Sequence, residues 1–309
     1  RGLGDVYKRQ VSELVDKTMA EMSLHDKVCQ MMFVTPEGLT GTDDVMVAGD
    51  ATKQALQAYP VGGIIYFANN FDNVDQTRDM ISNTQSYSKI GLFIATDEEG
   101  GRVNRIMDTL GTTYIGPMYD YKDDGPDAAF ENAKTIASDM SALGFNLDFA
   151  PVADVWSNPD NTVIGDRAYS DDYAQAAELV GSAVKGFQDG GVICTLKHFP
   201  GHGDTAEDSH YSSAYVNRTK AQIMADEMQP FRTGIDAGAE LVMVGHLIVP
   251  DIDELPSTLS YKIATEMLRG DMEFDGVAIT DSMEMESIAD NYGVAAVSYT
   301  HLRAHETKA

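Results

Sequence analysis

The sequence predicts an α/β fold, a (β/α)8 barrel of the TIM type that stops short of its eighth β/α unit. Three observations lead there. Seven short apolar runs read as buried strands, helical stretches of about 12–18 residues separate them, and polar residues gather where one strand after another ends. Near-continuous apolar strands alternating with helices imply a parallel sheet covered on both faces. A doubly wound open sheet is the structural alternative. It is disfavoured because no Gly-rich dinucleotide or phosphate loop follows the first strand.

Taken in order, Ser12 to Met22 is amphipathic and leads to a first strand over Val28 to Val34. A second strand spans Val61 to Phe67, followed by a helix from Thr77 to Ser88. Leu92 to Asp97 is the third strand, Asp127 to Leu143 a helix, and Phe145 to Val155 the fourth strand. The helix Asp172 to Gln188 precedes the fifth strand, Gly191 to Leu196. A helix from Lys220 to Ala237, a strand from Glu240 to Val244, a helix from Ser260 to Arg269 and a strand from Gly276 to Thr280 complete the series.

Polar residues recur at the strand ends. Asp97, Glu98 and Glu99 follow the third strand, Asp154 and Trp156 the fourth, Lys197 and His198 the fifth, His246 the sixth and Asp281 the seventh. One such cluster is an ordinary loop start or helix cap. Five in succession point to a shared pocket at the C-terminal face of a barrel, where charges cost least because they line a cavity. The densest block runs from Lys197-His198-Phe199-Pro200-Gly201-His202-Gly203-Asp204 to Asp208-Ser209-His210. His198 and His202, with Asp204 or Asp208, also have a spacing found in metal sites, but no helix or CxxC framework presents them on one face. No metal and no cofactor is expected.

The two ends carry a different message. Arg1 to Gln10 can be written in codons as CGT GGG CTC GGA GAT GTG TAT AAG AGA CAG. The reverse complement, read from its third base, translates as VSYTHLRAH, which is Val297 to His305. One DNA element in inverted orientation therefore flanks the gene fragment, and it resembles the adapter of transposase-based sequencing libraries. Residues 1–10 and 297–309 are set aside from fold reasoning, and 11–296 are expected to be an incomplete barrel domain. Val297 to Thr300 should form no barrel strand. A signal peptide, a lipid anchor and the cellular location are left open.

The whole chain has a formal net charge of −27. Without the flanks, 17 basic face 47 acidic residues, a net of −30. Such a surface repels nucleic acid and anionic membranes, and no apolar run approaches the ~18 residues of a membrane span. Cys29 and Cys194 both sit in apolar runs and read as buried thiols.

These residues resemble the β-N-acetylglucosaminidases of glycoside hydrolase family 3 over nearly all of 11–296. The resemblance is carried by Met22-Ser23-Leu24-His25-Asp26-Lys27-Val28, by Asp97-Glu98-Glu99-Gly100-Gly101-Arg102-Val103-Asn104-Arg105, and by Asn146-Leu147-Asp148-Phe149-Ala150-Pro151. Ile164 to Ser170, the Lys197 to His210 block and Ile279-Thr280-Asp281-Ser282-Met283-Glu284-Met285 complete it.

The resemblance implies a retaining glycosidase that removes terminal β-linked N-acetylglucosamine, from muropeptides of bacterial cell-wall turnover or from chitooligosaccharides. Asp281 would be the nucleophile of a double displacement. Its competing reading is a cap for a helix over Ser282 to Ile288. His210, oriented by Asp208, would be the acid/base, because imidazole titrates near neutrality. Gly201 and Gly203 would give that loop freedom to close. Asp97, Arg105, Arg167, Lys197 and His198 would bind the sugar hydroxyls and the N-acetyl group, with a structural ion pair as the alternative for the two arginines.

His202 and His246 read as packing or supporting groups. Glu98 where the family often has Gln, Gly245 before His246, and Asp166 before Arg167 depart from its pattern. A phosphorylase or β-glucosidase of the same family, a non-catalytic sugar-binding barrel and a metal hydrolase are the competing functions.

Overall fold

The computed structural model describes residues 3–205 and 214–292. Seven strands form one parallel sheet: β1 (Phe33–Val34), β2 (Gly63–Ile65), β3 (Phe93–Thr96), β4 (Leu147–Asp148), β5 (Ile193–Phe199), β6 (Leu241–Val244) and β7 (Val277–Thr280). Their spatial order is their chain order. A doubly wound sheet reverses its order at a switch point, so that alternative is removed. The sheet is curled. Among the described residues no strand joins β7 back to β1, and it stays open on that side.

The period-two alternation of side chains gives the sheet two apolar faces. Phe33, Ile65, Phe93, Ala95, Leu147, Ile193, Leu241, Met243 and Ile279 pack with Phe149 into one cluster, so every strand contributes to the concave face. The residues between them, such as Ile64, Ile94, Leu196, Val242 and Val244, join the larger core against the helices. Each such side chain contributes roughly 1.5–3 kcal/mol when fully buried. The inner strands are buried on both faces, whereas Val277 on β7 remains 48% exposed.

Three expectations need correction. Val28 to Gln30 is not strand but the end of a helix, Leu24–Gln30. Ser23 nucleates it through a reciprocal cap, its hydroxyl accepting from the Asp26 N–H at 3.1 Å while Asp26 accepts from the Ser23 N–H at 3.2 Å. Only Phe33 and Val34 remain for β1. The helix expected over Lys220 to Ala237 is two helices, Lys220–Ala225 and Met228–Asp236. Pro230 has no N–H to continue the first, but it is tolerated in the opening turn of the second. Finally, Lys262–Asp271 winds as a π-helix.

Residues 3–10 lie in a helix, Leu3–Glu21, and in no strand. Val297 to Thr300 lie outside the described residues. Among the described residues no helix is long and apolar enough to cross a membrane.

Candidate active site

The C-terminal ends of the strands carry the charged groups, and the sheet order decides which of them meet. Lys197, near the end of β5, is only 2% exposed. Its Nζ lies 2.8 Å from Asp97 Oδ1 and 2.5 Å from Glu99 Oε1, both just beyond β3. Glu99 in turn receives the Arg167 guanidinium as a fork, Nε to Oε2 and Nη2 to Oε1, each at 2.8 Å. Asp97, Lys197, Glu99 and Arg167 therefore form one buried chain of alternating charge. Burial pulls the Glu99 carboxyl up, but Arg167 and Lys197 overrule it and hold the group well below the usual range. Burial alone would lower the Lys197 ammonium, and Asp97 with Glu99 raises it instead.

The loop carrying Arg167 is stitched to the β3 loop by Arg102. Its Nη2 donates to the carbonyls of Thr162, Val163 and Ile164, and its Nε to Asp166 Oδ1 at 3.0 Å. Asp166, one of the departures from the family pattern, thus has a local partner.

His198 is fixed by Asp154. Nδ1 lies 2.7 Å from Asp154 Oδ2, so a carboxylate acceptor places the proton on Nδ1. The same carboxylate accepts the backbone N–H of His198 and of His202, the latter at 2.6 Å. Burial opposes the Asp154 charge, and His198 and His202 outweigh it, so its carboxyl is lowered. His202 Nδ1 is bonded to Thr205 Oγ1 at 2.7 Å, and the ring packs edge-on against His198. Among the described residues no group of three or more His, Cys, Asp or Glu converges as a metal would require. Gly203 packs directly against the backbone after β4: a Cβ there would stand 1.6 Å from the Val155 carbonyl oxygen. Close approach is the reason for that glycine.

Asp281 stands half-buried at the end of β7. Its N–H continues the sheet by donating to the Val244 carbonyl, and its Oδ1 accepts the adjacent Ser282 N–H at 2.7 Å. The next helix begins only at Glu286, too far along for Asp281 to be its cap. His246 Nε2 lies 2.7 Å from the Ser282 carbonyl, and its Nδ1 lies 2.9 Å from Thr258 Oγ1. The carbonyl can only accept, so Nε2 carries the proton and the ring tethers the turn after Asp281. Burial would raise the Asp281 carboxyl, yet His198, His246, the Ser282 N–H and Lys197 together lower it. Asp281 therefore shares its electrostatic surroundings with Lys197 and His198.

Arg105 is the predicted residue that, among the described residues, no ion pair draws into this cluster. Its guanidinium lies over the Phe67 ring at 5.6 Å, and its buried Nε has no partner. Asp208 and His210 lie outside the described residues. Sequence reasoning left Glu99, Asp154 and Arg102 without roles. Their only signal was an acid at a strand end or a place in a quoted motif, and their partners lie 44 to 98 residues away.

A curled parallel sheet with ion-paired acids and bases at its carboxyl ends defines a barrel-type α/β protein. The chain belongs to glycosyl hydrolase family 3, its residues 23–305 matching the N-terminal domain of that family. It is 36% identical to "Beta-hexosaminidase A" of Pseudoalteromonas piscicida over 262 residues, covering 77% of this chain and 43% of the relative. It is 37% identical to a "Beta-hexosaminidase" of Chromobacterium violaceum over 257 residues, 79% of this chain and 71% of the relative.

Among solved structures, a glycoside hydrolase family 3 β-N-acetylglucosaminidase from Paenibacillus sp. superposes with a TM-score of 0.84 at 36% identity, over 92% of this chain and 53% of that one. NagZ from Neisseria gonorrhoeae in complex with N-trifluoroacetyl-D-glucosamine superposes at 0.79 and 30% identity, over 89% and 79%. The chain thus spans less than half of the P. piscicida relative and about half of the Paenibacillus structure.

Proposed function

We propose that this chain carries the catalytic domain of a retaining β-N-acetylhexosaminidase that releases terminal β-linked N-acetylglucosamine, with peptidoglycan fragments as the natural substrate class. The observation that carries the reading is Asp281 at the end of β7, kept ionised by His198, His246 and Lys197. An ionised, half-buried carboxylate beside His198 and Lys197 is suited to attack an anomeric carbon. In this reading Asp281 forms the glycosyl-enzyme intermediate. His210, oriented by Asp208, protonates the leaving oxygen and then deprotonates the attacking water. Asp97, Lys197, His198, Arg167 and Arg105 hold the sugar hydroxyls and the N-acetyl group. The relatives named β-hexosaminidase and the N-trifluoroacetyl-D-glucosamine complex of NagZ support the substrate class.

The half-exposed edge strand β7 and the open side of the sheet support a (β/α)8 barrel whose eighth unit belongs to the parent protein. The inverted codon relation supports residues 1–10 and 297–309 as foreign to it.

The test is kinetic and uses the complete parent enzyme. His210→Ala should slow hydrolysis most for substrates with poor leaving groups, which need protonation. Aryl sugars with a strongly acidic phenol should lose far less, while Asp281→Ala should lose both. Equal losses for both leaving groups in His210→Ala would remove the acid role.

A further inference from the structure

Glu98 is the acid between Asp97 and Glu99, and the mechanism above gives it no task. It is 1% exposed and turns away from the ion chain. Its Oε2 accepts the backbone N–H of Arg105 at 2.6 Å and of Ile106 at 2.9 Å, and its Oε1 accepts that of Met107 at 3.2 Å. These three amides open the short helix Met107–Leu110, and the first belongs to Arg105 itself. The intervening loop is short and closed on itself, with the Glu99 N–H donating to the Val103 carbonyl and the Gly101 N–H to the Ile115 carbonyl. Among the described residues no ion pair holds the Arg105 guanidinium, which lies over the Phe67 ring, so the backbone that Glu98 ties down sets where that side chain starts.

We propose that Glu98 is a pH-responsive positioning residue whose carboxylate ties down residues 105–107 and thereby sets where Arg105 meets the substrate. The proposal rests on the sugar-binding role given to Arg105 above. Hydrogen bonds to an ionised carboxylate are roughly twice as strong as those to a neutral acid, so protonating Glu98 weakens the tie.

The surroundings favour such a change near neutrality. Burial pushes the Glu98 carboxyl up to about 7, against the three amides and the Arg105 charge. From β4, Asp148 accepts the Glu98 N–H at 3.0 Å, and its own carboxyl is raised by burial and by Glu98. Asp97 and Lys197 act on Asp148 with opposite signs. Glutamine, which the family often has here, does not titrate. Its carbonyl oxygen can replace Oε2, but its amide nitrogen cannot accept from Met107.

The deciding experiment is amide hydrogen exchange on the complete parent enzyme at about pH 6 and about pH 8, corrected for intrinsic rates, with N-acetylglucosamine titrated in parallel. In the wild-type chain, Arg105, Ile106 and Met107 should lose protection on the order of tenfold at the lower pH. Sugar affinity should weaken severalfold in the same direction. Glu98→Gln should hold Arg105 and Ile106 equally at both pH values, leave Met107 less protected throughout, and show a flat affinity.

Protection that is independent of pH in the wild type, or that varies equally in Glu98→Gln, overturns the proposal. So does the expected exchange pattern with an affinity that ignores pH. Absence of sugar binding at both pH values, with that exchange pattern present, counts against the hexosaminidase reading instead and leaves the tie to residues 105–107 standing. If Glu98→Gln does not fold, the wild-type exchange profile decides alone.

Discussion

Asp154 grips His198 at two levels, with one carboxylate oxygen 2.7 Å from the ring Nδ1 and both oxygens accepting the His198 backbone N–H. The acid is fully buried and also receives the His202 N–H, so it holds a strand end and the turn after it together. A group in this position governs the imidazole's tautomer and its orientation.

Asp154→Asn keeps the size but cannot accept at both atoms. It should lower stability by about 1–3 kcal/mol, because a buried partner is lost while donors remain. Affinity for N-acetylglucosamine should fall about tenfold, because a sugar-binding histidine then loses the carboxylate that fixes its tautomer and orientation. Chemical unfolding and a sugar titration check both. Unchanged affinity in a destabilised protein would make Asp154 purely structural.

Lys197→Met would leave Asp97 and Glu99 facing each other without their shared cation. Removing one member of a buried ion network costs about 3–5 kcal/mol. Adding Asp97→Asn should recover part of that loss, because Glu99 keeps Arg167 and no carboxylate is left without a cation. A double-mutant cycle in urea measures the coupling, and simple additivity would contradict the contact.

His202 should make the fold sensitive to acid. Its ring is held down to about 4, first by burial and then by His198 and Arg167, against the pull of Asp154. Between about pH 4 and pH 6.5 the unfolded chain binds a proton there that the folded chain refuses, so stability falls as pH drops through that window. The contribution is bounded by about 3 kcal/mol. Unfolding midpoints of the wild type and His202→Gln, compared across this range, should converge toward acid pH.

Gly203→Ala should disrupt the turn after β5, since its methyl would meet the Val155 carbonyl. Gly91→Ala, with nothing within 4 Å and no left-handed backbone, is the control and should be close to neutral. A close approach to the Val155 carbonyl requires a large difference in thermal midpoint between the two. Equal midpoints would show that the turn has room for the methyl group.

The sequence by itself determined the seven strands and their polar ends, because burial on both faces of a parallel sheet writes itself as unbroken apolar runs. Lys197, His198 and Asp281 were visible for the same reason, as charges placed where such runs stop. The helix at Leu24–Gln30 was misread because a local cap at Ser23 outweighed an apolar, β-like run. Only the tertiary structure decided the pairing: Glu99 with Arg167 and Lys197, Asp154 with His198 and His202, and Glu98 with the amides of residues 105–107. Periodicity reports which face a side chain takes, but not which buried charge it will meet. Those partners lie on other strands and loops, and the curl of the sheet brings them within hydrogen-bonding distance.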